Sequence, residues 1–162
     1  MYNYNIIPNY KTHTTKLVLP EESELSTCES KLNIQLPECY TQFISQYGRG
    51  ILGGTYIRIY MPSFVANNQE EWIERITEYY FWDDGKNVLT KEEVLNSICL
   101  GDTLDGDEII YYNKQYFVLP RNEDLIYPLG NTLTEAIEWL CSSNILTEAF
   151  TERDFEPINE DI

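Results

Sequence analysis

With 162 residues and a formal net charge of −16, from 27 acidic against 11 basic side chains, the chain has the length of one domain, enough to bury roughly 70% of its unfolded surface. An apolar share of 43% with 14% aromatic residues excludes a disordered polypeptide. So negative a field repels phosphate, which makes nucleic acid and anionic membranes poor partners and favours cations or a basic protein; the plainer alternative is an acidic chain whose charge only aids solubility.

Residues 1–19 are polar and tyrosine-rich and read as an irregular arm with one strand at 16–19. Pro20 suits a first helical turn and Glu21, Glu22 and Glu24 favour its positive end. Leu25, Cys28 and Leu32 recur at helical spacing, which predicts an amphipathic helix over 20–32. Leu36-Pro37 opens a second helix with Pro37 at its first position and Tyr40, Phe43, Ile44 and Tyr47 as its buried stripe; Gly48 and Gly50 supply the positive φ that ends it. Gly53-Gly54 is a further break, and 56–61 alternate as a strand, Ile57 and Ile59 on one face, until Pro62. The next helix falls at 70–82, with Trp72, Ile73, Ile76, Tyr79 and Tyr80 on its apolar side and Asp83-Asp84-Gly85 as its stop. Thr90-Lys91-Glu92-Glu93 is a capping box that starts a short helix carrying Val94 and Leu95.

Residues 98–121 are the richest strand-forming run. A strand at 98–100, a turn at Asp105-Gly106-Asp107, and strands at 109–112 and 116–119 joined at Asn113-Lys114-Gln115 predict an antiparallel meander that needs helices on one face. Residues 124–128 add an edge strand before Gly130. Thr132-Leu133-Thr134-Glu135 repeats the capping-box spacing, and Leu133, Ala136, Ile137, Leu140 and Cys141 mark a helix to about 141. The reading is thus one α+β domain over 20–143, a mostly antiparallel sheet flanked by helices, between an arm at 1–19 and an acidic, partly mobile tail at 144–162.

Cys28, Cys39, Cys99 and Cys141 lie far apart with no CxxC, which suits reduced core residues rather than a disulfide frame or zinc site. No basic segment leads into an apolar one at the N-terminus, and no apolar run nears the ~20 residues of a membrane span, so a cytoplasmic protein is expected. His13 is the only histidine, which excludes a histidine triad or two-histidine metal site within the chain. Gly48, Gly50, Gly53 and Gly54 have the wrong spacing for a phosphate-binding loop. Asp102, Asp105, Asp107 and Glu108 form the densest carboxylate cluster outside the tail. Counted from Asp102, however, a calcium loop would have Leu104 third and Gly106 fifth, so the register fails, and turn geometry alone explains Asp-Gly. No catalytic residue, metal or cofactor is assigned. Tyr79-Tyr80-Phe81-Trp82-Asp83-Asp84 joins four aromatics to two acids, either as core rings or as an exposed ledge of the composition that holds basic side chains.

The run E-S-K-L-N-I-Q-L-P-E-C-Y-T-Q-F-I-S-Q-Y-G-R-G, residues 29–50, resembles the signature of the SUKH superfamily (SMI/KNR-type): a glutamate, Leu-Pro, an aromatic, a bulky apolar pair and a Tyr-Gly turn, here Glu29, Leu36, Pro37, Tyr40, Phe43, Ile44, Tyr47 and Gly48. GDTLDGDEIIYY, YFVLPR and a final helix after Leu129-Gly130 resemble the family's order of elements, and IRIYMP and EYYFWDDG are similar to a bacterial branch. The resemblance implies a single α+β domain with a non-catalytic, protein-binding role. In the bacterial branch that role is immunity, the neutralisation of a polymorphic toxin, often a nuclease, by direct binding; the fungal cell-wall-synthesis regulator of the superfamily implies the alternative of a scaffold for host proteins. A carboxylate hydrolase using a divalent ion is a third, weaker reading. Charge then points to Asp83, Asp84, Asp102, Asp105, Asp107 and Glu108 as partner-binding residues, standing in for phosphates before a basic toxin domain, with Tyr80 and Trp82 as anchors. Oligomeric state is left open.

Overall fold

The central meander forms as the turn residues dictate. In the computed structural model, which describes residues 2–160, strands β4 (Ile98–Thr103), β5 (Glu108–Tyr112) and β6 (Gln115–Leu119) pair antiparallel in sequence. Asn113 and Lys114, with φ of 50° and 65°, make the two-residue connection between β5 and β6, the backbone twist that a tight hairpin prefers. Around the meander stand β1 (Asn5–Ile6), β2 (Gly50–Leu52), β3 (Ile57–Ile59), β7 (Tyr127–Gly130) and β8 (Asp154–Pro157). The eight strands form one open sheet in the order β1-β8-β2-β3-β4-β5-β6-β7, antiparallel except where β1 meets β8.

Five α-helices are present among the described residues: α1 (Glu22–Leu32), α2 (Glu38–Tyr47), α3 (Pro62–Glu78), α4 (Lys91–Leu95) and α5 (Leu133–Ser142). α3 packs on β4 with α1 alongside it, and α5 packs on β6 and β7. The Thr90 hydroxyl accepts from the Glu93 amide while the Glu93 carboxylate accepts from the Thr90 amide, the expected capping box of α4. At α5 the Thr132 hydroxyl accepts from the Glu135 amide, but the Glu135 carboxylate reaches one residue further back, to the Asn131 amide.

The residues that carry the resemblance hold the α1–α2 corner together. The Glu29 carboxylate accepts from the Leu36 amide at 2.8 Å and so closes the interhelical loop. Tyr40, Phe43, Ile44 and Tyr47 are all buried; the Tyr40 hydroxyl donates to the Tyr60 carbonyl and the Tyr47 hydroxyl accepts from the Tyr4 amide. Pro37 is not the first helical residue but the extended cap before it.

Four further expectations are corrected. Pro62, read as the end of a strand, is the first residue of α3, which therefore starts eight residues before 70 and stops at Glu78. Gly50 does not end a helix; it starts β2, where the Phe155 ring fills the space that a Cβ would need. Residues 16–19 form no strand, and the arm instead contributes β1. The segment read as a partly mobile tail contributes β8, seated between β1 and β2.

Candidate protein-binding face

The row of register partners Arg58, Asp102 and Glu108 crosses β3, β4 and β5 on the face that α3 covers. The Arg58 guanidinium grips Asp102 in a two-pronged pair, Nε at 3.1 Å and Nη2 at 2.7 Å, and lies over the Tyr60 ring. Arg75, from the last turn of α3, donates to Glu108 at 2.6 Å. Hydrogen bonds to these carboxylates push both guanidinium pKa values up. Pairs as exposed as these contribute about 0–1 kcal/mol each, yet they neutralise two of the six acids selected from the sequence.

A third acid of that set is turned inward. Asp107 is 4% exposed, accepts from the Thr103 hydroxyl and from the Arg121 amide, both at 2.9 Å, and braces the turn between β4 and β5. Its neighbours at the tip, Leu104 and Asp105, face solvent, with Leu104 76% exposed. The Asp107 carboxylate is thus turned away from solvent and spent on the turn.

Because α3 stops at Glu78, residues 79–82 leave the helical phase and their side chains alternate. Trp82 is 3% exposed, its Nε1–H donating to the Pro120 carbonyl, and Tyr80 is half-buried beside it with the Lys91 ammonium over its ring. Burial removes Trp82 as a free anchor. Phe81, stacked on Trp82 with ring centroids 4.1 Å apart, and Tyr79 present the exposed rings instead. Asp83 and Asp84 follow on an exposed single turn of 3-10 helix, Asp83–Gly85, and a hydrogen bond and like-charge repulsion from Asp124 raise the Asp84 pKa.

Between these pieces lies a cleft of about 360 Å³ walled by Phe81, Trp82, Arg75, Asp102, Glu108 and Arg121. Of the residues chosen from sequence it gathers Trp82, Asp102 and Glu108; Asp83 and Asp105 adjoin lining residues in the chain, Asp84 turns to Asp124, and Asp107 and Tyr80 do not line it. Arg75, Phe81 and Arg121 were missed, since nothing in their local pattern sets them apart from any arginine on a helix or any ring in an aromatic run. Among the described residues no group of three or more His, Cys, Asp or Glu side chains could hold a metal ion, and no helix is long and apolar enough to cross a membrane.

A search of curated proteins finds no match. The family model described as SMI1 / KNR4 family (SUKH-1) matches residues 19–139, which takes in α1 to β7 and most of α5, and leaves β1 and β8 outside. With that match spanning well over half of the sequence, and each signature residue from Glu29 to Tyr47 in the structural role just described, the chain belongs to the SMI1 / KNR4 family (SUKH-1).

Proposed function

We propose that this chain is a non-catalytic binding module that acts as an immunity protein, seating a basic toxin domain of nuclease type on the cleft face and occluding its active site. The observation that carries the reading is the rim: Asp83, Asp84 and Asp105 are exposed and adjoin the exposed apolar Phe81 and Leu104, in a chain of net charge −16. Rim acids steer a cationic partner and an apolar patch holds it once docked. Family membership supports a binding role, and four free thiols suit a reducing cytoplasm.

Binding kinetics against a basic toxin domain of nuclease type test this. In Asp83→Asn/Asp84→Asn and in Asp105→Asn the association rate is expected to fall by roughly 3–10-fold at low salt, a difference that shrinks as the screening length falls to about 8 Å. Phe81→Ala is expected to act on dissociation, by about 10-fold or more. Unchanged association rates in both acidic variants across the salt series would reject this face.

A further inference from the structure

The cleft does not share the negative charge of the molecule around it. Two carboxylates, Asp102 and Glu108, and two guanidinium groups, those of Arg75 and Arg121, line it; Arg75 pairs with Glu108, and Arg58, from beside the cleft, pairs with Asp102, within a chain of net charge −16. Of the five arginines, Arg58, Arg75 and Arg153 pair with carboxylates and Arg49 donates to the carbonyls of Ile158 and Glu160. The Arg121 guanidinium alone has no hydrogen bond or ion pair among the described residues. It is nonetheless held in place: its amide is fixed to Asp107, and its stem lies over Gly106, where an added Cβ would come within 2.8 Å of Cδ. The exposed ring of Phe81 lines the same cleft.

We propose that this cleft receives a carboxylate side chain carried by the basic partner, its stem against Phe81 and its oxygens on Arg121; this rests on the reading of a basic partner given above. The charge balance selects the source. A free carboxylate anion must approach against the field of the whole chain, whereas one borne on a cationic surface arrives with the countercharges that Asp83, Asp84 and Asp105 attract. An unpaired guanidinium in a chain with exposed acids also fixes the register of docking, because a misaligned partner sets like charges against each other.

Two capped peptides serve as probes against the full-length protein, Lys-Lys-Glu-Lys-Lys and Lys-Lys-Gln-Lys-Lys, with binding and the Arg121 Nε–H signal followed by NMR. The glutamate peptide is expected to bind about 2–5-fold more tightly, the range of an exposed ion pair, and to shift the Arg121 signal. Arg121→Gln, a substitution at an exposed side chain, is expected to abolish the difference while retaining the binding common to both peptides. Equal affinity for the two peptides in the unaltered protein, or a difference that survives Arg121→Gln, overturns the carboxylate site. Sodium acetate shifting the Arg121 signal at the same concentration as the glutamate peptide overturns the protein-borne source. Asp83→Asn/Asp84→Asn/Asp105→Asn separates the two readings: it is expected to weaken both peptides together, and if it leaves both unchanged the basic partner fails while the Arg121 comparison stands.

Discussion

Asp105 and Asp107 sit two positions apart in one turn and have opposite fates. Asp105 is solvated, while both oxygens of Asp107 are engaged under the hairpin. Asp107→Ala leaves the Arg121 amide and the Thr103 hydroxyl without their acceptor, so it is expected to lower stability by about 1–3 kcal/mol in urea unfolding, against about 0.5 kcal/mol or less for Asp105→Ala. Asp84 and Asp124 supply a pH-dependent case. The raised Asp84 pKa means that the fold disfavours its charged form, so the penalty is present above that pKa and is relieved as pH falls through it. Asp124→Asn is therefore expected to raise the melting temperature at neutral pH, with the gain fading as acid protonates Asp84; a gain that persists at low pH would contradict this. The cysteines differ in access: Cys28, Cys99 and Cys141 are buried, with thiol pKa values that burial pushes up, to about 11 for Cys141, while Cys39 is half-buried. Titration of the native protein with a thiol reagent is expected to show one fast group, and unfolding to release the other three.

At the level of elements, β8 is the strand on which one end of the sheet depends. Phe155 packs its ring 5.1 Å from Tyr47 and 6.2 Å from Phe43, in the space that Gly50 leaves, and the strand covers the β2 edge. Phe155→Ala is expected to cost about 3–5 kcal/mol, read as a lower urea midpoint with an unchanged slope. Nothing local announces β8: Asp154, Phe155, Glu156 and Pro157 hold one large apolar residue, and their partner Asn5 is 149 positions away. The start of α3 was ambiguous for a different reason. Proline ends a strand as readily as it opens a helix, and only the packing of Val65 and Ala66 into the core decides for the helix. The helix also stops earlier than expected, at Glu78, and the alternation that follows buries Trp82 and exposes Phe81.

For the whole molecule, the 27 acids outnumber what the bases can neutralise, and only four ion pairs form among the described residues. Self-repulsion should dominate, so raising salt from a few millimolar to about 0.15 M is expected to increase thermal stability; a fall would mean that the ion pairs outweigh the repulsion. What the sequence determined by itself was the α+β class, the meander, the threonine caps of α4 and α5 and the Glu29–Gly48 signature. Each is written in contacts between near neighbours: a side-chain period, a turn dipeptide, a hydroxyl three residues from its amide, a carboxylate seven from its own. Tertiary structure decided which charges remain unpaired. Asp102 is neutralised by an arginine 44 positions away and Glu108 by one 33 away, whereas Asp105 and Arg121 stay free among the described residues. Coulomb energy depends on separation in space, and the chain sets that separation only once the sheet has closed its register.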